Sequence, residues 1–456
     1  MSVLLVGLDV TIINVALPRI GHDLHTTVSG LQWTVDAYTL VISTLLLLGG
    51  SMADRLGRRR VFQTGLALFA LGSLLCSLAP TLGWLIFFRA LQAIGGSMLN
   101  PVAISIIRNT FDDPRQRARA LGFWGGTVGL SFALGPVLGG ALVSSVGWPS
   151  VFWINIPIAL VALGLTTRLI PESRAENPRR FDPAGQVLVM VTLATLTFAI
   201  IEGQSLGWLS AIELSLAAVV VISVALFVRV ETHRTDPLME LRFFRSLPFS
   251  GATLVAVAAF AALAGFLFLN TLYLQIARHF SPFESGLYVL PIAAMQLIFA
   301  PVAGRLVGRS GSRAPLLLAG VGVTAGALMQ TGITNTTSTI WLLASYSVFG
   351  IGFGLVNTPI SATAVNGMPA AQAGVAAGIA SSSRQTGGTL GVAIVGAIIA
   401  KSAIHGTPSG LDDGGWWFVV ACGVAVVVIG YFSTTRSARQ SAIDVFRAGE
   451  PTEPAP

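Results

Sequence analysis

The sequence predicts an all-α, polytopic membrane protein with fourteen membrane-spanning helices arranged as six, two and six. Three observations predict it: a scarcity of charge, a series of long apolar runs, and an internal repeat. Of 456 residues, 53% are hydrophobic and 10% charged, with a mean hydropathy of +0.77. A soluble chain carries about 25% charged residues. Too few polar side chains are present here to cover a water-facing surface, so lipid is the solvent for most of the chain. The net charge is +7. The arginines lie in short loops between apolar runs, which reads as membrane topology rather than nucleic-acid binding. Cys76 and Cys422 sit inside apolar runs, which favours neither a disulfide framework nor a metal cluster.

A helix needs about 20 mainly apolar residues to cross the hydrocarbon core. The apolar runs place spans near 2–20, 33–52, 61–79, 84–107, 120–143, 150–168 and 184–202, then 209–228, 249–273, 285–304, 315–332, 339–365, 378–400 and 415–434. They are too long and too uniformly apolar for the alternating strands of a membrane barrel. The first run has no basic lead and no small-residue cleavage site, so it reads as a retained span rather than a signal peptide. Because that span begins at residue 2, the true start is expected upstream.

Alternate loops are basic. Clusters begin at Arg55, Arg108, Arg168, Arg229, Arg305 and Arg436, and the third includes Arg179 and Arg180. Together they place 22 of the 27 Lys and Arg residues on one side. The positive-inside rule makes that side cytoplasmic, with both termini inside a multi-pass inner (plasma) membrane protein. Trp33, Trp84, Trp148, Trp208, Trp341, Trp416 and Trp417 fall at the opposite ends of their spans and read as an outer aromatic belt.

The third observation is the repeat. Gly50, Arg55, Gly57 and Arg59 match Gly304, Arg309, Gly311 and Arg313 at a constant offset. A looser echo pairs the stretch ending Asn100-Pro101 with the stretch ending Asn357-Thr358-Pro359. Two six-span halves follow, 1–170 and 249–434, with a helix pair inserted at 184–229 and a disordered cytoplasmic tail at 435–456. Duplicated halves with a substrate site between them are the common plan of secondary transporters. Asp54 becomes Gly308 in the second copy, and Arg89 has no basic counterpart near 343–347. Chemistry present in one half alone is a candidate for specific function.

Six stretches in order carry a family resemblance. They are Leu8-Asp9-Val10-Thr11 through Pro18, Gly50 to Arg59, Arg89-Ala90-Leu91-Gln92 to Gly95, and Gly129 to Gly140. The last two are Trp148 to Pro157 and Ser383-Arg384-Gln385 to Gly388. In these the chain resembles the fourteen-span drug/proton antiporters of the major facilitator superfamily, the EmrB/QacA type, over nearly its whole length. The resemblance implies the major facilitator fold and a transporter rather than an enzyme. It also implies proton-coupled efflux of amphipathic drugs or toxic metabolites. No cofactor is implied beyond the proton gradient, and the partners are a small amphipathic molecule, protons and lipid, with the monomer as the working unit. The later spans hold no clear acidic residue of the kind that some divalent-cation exporters in the family carry.

The candidate residues follow from burial cost. Asp9 lies roughly 18 Å below the outer end of the first span, where an ionised group is expensive and presumed functional. It is expected to bind protons and to help bind substrate. Arg89, in mid-span four, stays protonated and so acts by biasing a nearby carboxylate and releasing it on rearrangement. Whether the two touch is open at this level. Asp36, in the outer part of span two, is read as either an attractor of cations at the outer mouth or a hydrated interfacial residue. Glu202 and Glu213 read as solvated loop residues. Gly50, Asp54, Arg55, Gly57, Arg58 and Arg59 form a tight reversal that the resemblance makes a cytoplasmic latch. Gly122, Gly126, Gly129, Ala133, Pro136 and Gly140 place small residues on one face of span five, with a bend at Gly135-Pro136, the features of a hinge seam; the resemblance makes Gly129, Gly135, Pro136, Gly139 and Gly140 the antiporter hinge motif. In-span amides, Gln92 and Asn155 among them, are expected to bond between helices. The rival reading is a facilitator or symporter importing a small solute.

Overall fold

The computed structural model describes residues 1–111, 113–175, 182–234, 237–368, 372–404 and 413–447. The first half holds α1 (Ser2–Asp23), α2 (Val28–Leu56), α3 (Arg58–Ser77), α4 (Leu82–Thr110), α5 (Pro114–Ser145), the short α6 (Ser150–Trp153) and α7 (Asn155–Leu169). A hairpin of α8 (Pro183–Leu206) and α9 (Ala211–His233) follows. The second half holds α10 (Leu247–Leu272), α11 (Pro282–Tyr288), α12 (Leu290–Ser310), α13 (Arg313–Leu328), α14 (Thr339–Ala364), α15 (Ala373–Ile404) and α16 (Asp413–Ser433), and α17 (Arg436–Arg447) ends the described chain.

The packing repeats as the sequence does. In the first half α1 lies on α5, α2 on α4, and α3 on α4 and α7. In the second half α10 lies on α15, α12 on α14, and α13 on α14 and α16. The halves meet in two matching seams, α2 against α15 and α5 against α11 and α12, and α8 lies across the first of these. Close approaches sit at glycines: a Cβ on Gly95 would come within 2.6 Å of the Gly65 carbonyl, and one on Gly322 within 2.7 Å of the Gly352 α-carbon. Small residues let helices in lipid approach backbone to backbone, where dispersion replaces the missing hydrophobic drive.

The sequence repeat has a conformational cause. Gly57 and Gly311, matched positions, end α2 and α12 at φ of +112° and +76°. A side chain at such angles is strained, so both reversals need glycine. The looser echo also lands on equivalent helices, with Pro101 inside α4 and Pro359 inside α14.

Among the described residues, twelve helical segments are long and apolar enough to cross a membrane. Two of the fourteen expected spans fall outside that number. With 16 residues α13 reaches about 24 Å, short of the hydrocarbon core. The apolar run of α15 is diluted by Ser381-Ser382-Ser383-Arg384-Gln385. The tail also differs from expectation: residues 436–447 form a helix instead of trailing free. Ala438, Ala442 and Phe446 are buried, the Phe446 ring lying 5.8 Å from that of Phe243. Arg179, Arg180 and residues 448–456 lie outside the described residues.

The aromatic belt is corrected in two places. Trp148 and Trp416 are buried, Trp416 edge-on to Phe266 at 5.2 Å, so they are core residues. Trp33 donates to Glu202 at 2.9 Å, tying α2 to α8, so Glu202 is a structural acceptor. Glu213, expected in solvent, is buried, and its amide donates at 3.2 Å to the hydroxyl of Ser210, the N-cap of α9.

Candidate functional site: a buried ion pair and an inter-half seam

Asp9 and Arg89 meet. The Asp9 carboxylate accepts from Arg89 Nη1 at 2.5 Å, and both side chains are buried. Position i+3 on a helix shares a face, so α4 presents Gln92 beside Arg89. Gln92 Nε2 donates to Asp9 Oδ1 at 2.8 Å and to Ser73 Oγ at 2.8 Å, while its Oε1 accepts from Arg89 at 2.8 Å. Asn155 adds a third donor to Asp9 at 2.9 Å. Its position has a local cause: Pro157 cannot donate to the carbonyl of Trp153, and the helix breaks at Ile154 so that Asn155 opens α7. Arg89 Nε donates to the Thr34 carbonyl at 3.2 Å, and the guanidinium lies 4.2 Å from the centre of the Tyr38 ring.

The network therefore draws on α1, α2, α3, α4 and α7, all in the first half. A buried ion pair is tolerable only when its remaining donors and acceptors are also satisfied. Asp9 has three donors. Arg89 Nη2 and Asn155 Oδ1 have no partner. The pair is thus fully held on the carboxylate side and incompletely held on the cation side.

Asp36 is elsewhere. It is fully buried rather than hydrated, and it lies in the seam between the halves. Helix spacing explains the burial: Gln32, Asp36, Thr39 and Ser43 share a face of α2, and that face meets α15. Gln32 donates to the Val392 and Ala393 carbonyls at 3.3 and 2.7 Å, and Thr389 Oγ1 bonds Thr39 Oγ1 at 3.0 Å. Asp36 accepts from Thr39 at 3.4 Å, and its second oxygen has no partner. A carboxyl this poorly solvated is costly when ionised.

The glycine motif of α5 lies in the other seam. A Cβ on Gly139 would sit 2.6 Å from Ile12 of α1, and one on Gly135 would collide with the Thr11 hydroxyl. Gly140 faces the second half, where a Cβ would meet the Phe283 α-carbon at 2.7 Å, and Gly286 of α11 packs on the Pro136 backbone. Gly129 is looser, at 3.5 Å from Leu297, and around Gly122, Gly125 and Gly126 there is open space. Among these residues, close approach between the halves falls at Pro136 and Gly140, in the second half of α5.

The α2–α3 motif is fastened within the first half. Gly50 passes Pro101 of α4, a Cβ there lying 3.8 Å from the proline ring. Asp54 pairs with Arg58 at 2.8 Å. Glu172 accepts from the Arg59 and Arg60 amides at 3.1 and 3.3 Å, filling the N-terminus of α3, and the Asp54 carbonyl accepts from Ala175. Arg55 is also engaged.

Sequence reasoning named Gln92 and Asn155 only as bonding amides, with no pointer to Asp9. It also passed over Arg384, a second cation set in a helix of apolar surroundings, which donates to Ser361 at 2.7 Å while its Nε has no partner. Its place in the run Ser383-Arg384-Gln385 within an apolar stretch was the available signal.

Comparison with known proteins completes the description. The Major Facilitator Superfamily family model matches residues 1–392. The chain is 35% identical over 400 residues to the multidrug resistance protein Stp of Mycobacterium tuberculosis, covering 88% of this chain and 74% of that one. It is 36% identical over 403 residues to the tetracenomycin C resistance and export protein of Streptomyces glaucescens, covering 88% and 74%. Among solved structures, a D-xylose-proton symporter superposes with a TM-score of 0.69 at 16% identity, covering 94% of this chain and 95% of that one, a likeness that speaks to the fold alone. Helix packing, repeat and sequence agree that the chain belongs to the major facilitator superfamily of membrane transporters, and is not an enzyme.

Proposed function

We propose that this protein exports small amphipathic molecules across the cytoplasmic membrane in exchange for protons, by alternating access and without a cofactor. The resistance and export proteins to which it is similar support efflux over import. The observation that carries the coupling is the buried Asp9–Arg89 pair, which lies in one half only and has an unpartnered guanidinium nitrogen.

Opening such a pair by force costs about 3–5 kcal/mol when one partner is left uncompensated. A proton crossing a 100 mV potential supplies about 2.3 kcal/mol. Protonation is therefore the economical route: it removes the carboxylate charge, so that Arg89 leaves without stranding an anion. Gln92 and Asn155 hold Asp9 in place meanwhile, since both bond either protonation state after an amide rotation. Asp36, in the α2–α15 seam, is the second carboxyl whose protonation state changes what the halves share. Cargo with an uncharged or monocationic head fits this logic.

The architecture under this reading has fourteen spans. The short α13 is shielded between α14 and α16, and α15 forms seams with α2 and α10, places that only bundle helices occupy. The arginine-rich loops are cytoplasmic, as are both ends of the chain, and the monomer is the transport unit. Close approach at Pro136 and Gly140, with open space around Gly122, Gly125 and Gly126, fits an inward-facing state.

The test is uptake of candidate drugs into inside-out vesicles with and without a proton gradient. Gradient-driven uptake by the wild-type protein, lost in Asp9→Asn at equal membrane abundance, is the expected result. Equal flux without a gradient, or full transport by the variant, overturns the coupling role.

A further inference from the structure

The base of the α8–α9 hairpin holds a further buried acidic site, on different helices from Asp9 and Asp36. Asp182 caps α8, its Oδ1 accepting from the Gly185 amide at 2.9 Å. Glu231, in the last turn of α9, accepts from the Met239 amide at 3.0 Å. Both residues are buried, with exposures of 3% and 4%. Each has one oxygen without a partner, Asp182 Oδ2 and Glu231 Oε1. Those two oxygens converge over the Gly185 α-carbon: a Cβ built there would touch both, lying 2.6 Å from the Asp182 oxygen.

Two ionised carboxylates cannot face each other in a dry site, and one proton between them turns repulsion into a hydrogen bond. Charge balance gives the same answer. Arg234 pairs with Asp182 at 2.7 Å, so the two carboxyls, one shared proton and this guanidinium together carry no net charge. Glu240, on the segment that follows, pairs with Arg242. Burial pushes the Asp182 pKa up, but the Gly185 amide, the Glu231 carboxyl and Arg234 outweigh it and hold the group below its ordinary value.

We propose that Asp182 and Glu231 form a proton-binding pair, and that the shared proton fastens the base of the inserted hairpin to both halves. The links run outward from the pair. One turn beyond Asp182, Gln186 donates to the Thr44 carbonyl of α2 at 2.5 Å. Glu231 holds the Met239 amide in the segment leading to α10. Thr44, Leu238 and Met239 are also walls of a cavity of about 220 Å³ between the hairpin and the α2–α15 seam. With the proton bound the pair is closed and these walls are fixed. Once it is lost, as pH rises, two carboxylates face one guanidinium, the site carries an uncompensated negative charge, and the hairpin base loosens.

Hydrogen exchange of the segment 237–240, which holds the Met239 amide, tests this on the full chain in lipid nanodiscs, corrected for intrinsic exchange and followed from mildly acidic to alkaline buffer. In the wild-type protein, protection of this segment is expected to fall about tenfold as pH rises. Glu231→Gln keeps the hydrogen bond without a titrating proton, and Asp182→Asn keeps the helix cap while leaving a single carboxylate. Either variant that reaches the membrane is expected to show protection independent of pH. A flat wild-type profile overturns the proposal, and so does a variant that titrates as the wild type does.

Discussion

Around Asp9, hydrogen bonds do different work from charge. Three donors converge on one carboxylate, and only Arg89 among them is charged. Replacing Gln92 by Ala removes a donor to Asp9, an acceptor for Arg89 and the link to Ser73 in one step. Hydrogen bonds to charged groups contribute about 1.5–3 kcal/mol each. Gln92→Ala is therefore expected to lower thermal stability in detergent measurably and to cut proton-driven transport at least tenfold. Arg89→Lys makes a sharper comparison. Lysine keeps the positive charge but lacks the fork that reaches Asp9, Gln92 and the Thr34 carbonyl together. This variant is expected to reach the membrane yet lose most coupled transport in the vesicle assay. Wild-type rates in Arg89→Lys would mean that charge alone suffices. Asp9 and Arg89 were legible in the sequence because a charge in an apolar run is conspicuous. Gln92, Asn155 and Tyr38 were not, because an amide or a phenol in a helix is common, and only the three-dimensional meeting of five helices gives it a role.

At the scale of single helices, α5 concentrates the mechanics. Its motif presents two faces: Gly135 and Gly139 admit α1, while Pro136 and Gly140 admit α11 of the other half. A side chain at Gly139 collides with Ile12, a neighbour that stays with α5 through the cycle, so Gly139→Leu is expected to destabilise the protein itself. Overpacking of this kind costs about 1–3 kcal/mol. Gly140→Leu collides instead with the Phe283 backbone across the seam. That variant is expected to fold but to resist closure on this side, and labelling of a cysteine placed at Ser144 should rise several-fold over the same cysteine in the parent. Unchanged labelling would show that the seam does not depend on close approach at Gly140. The motif's small-residue spacing announced close packing from the sequence. Which glycine faced which half could not be read there, because one helical turn serves both neighbours. The same limit applied to Asp36: its depth along α2 was readable, whereas its burial depended on α15, 350 residues away, where Thr389 meets Thr39.

For the whole molecule the governing fact is that both halves repeat one packing scheme and meet in two equivalent seams. Periodic glycines and the reversals at Gly57 and Gly311 made this duplication visible in the sequence. The hairpin crossing one seam was visible only as an insertion, and the ordered α17 was not visible at all, its polar composition resembling a free tail. Bonds between the halves gather toward the ends of the helices remote from the arginine-rich loops. Gln275 donates to the Val15 carbonyl at 2.9 Å, the Phe283 amide to Ser144 at 3.3 Å, and Gln32 to α15. Rocking of rigid halves about a site between them requires these bonds to break in each cycle. Cross-linking Ser144→Cys to Phe283→Cys with a short thiol reagent is therefore expected to abolish transport, and reductant to restore it. Cys76 and Cys422 are buried and would be replaced in the parent to keep the reaction specific. Each single-cysteine control should transport normally after the same treatment. If the cross-linked protein continues to move substrate at the parent's rate, this seam does not open, and rigid-body rocking of the two halves is not how the molecule works.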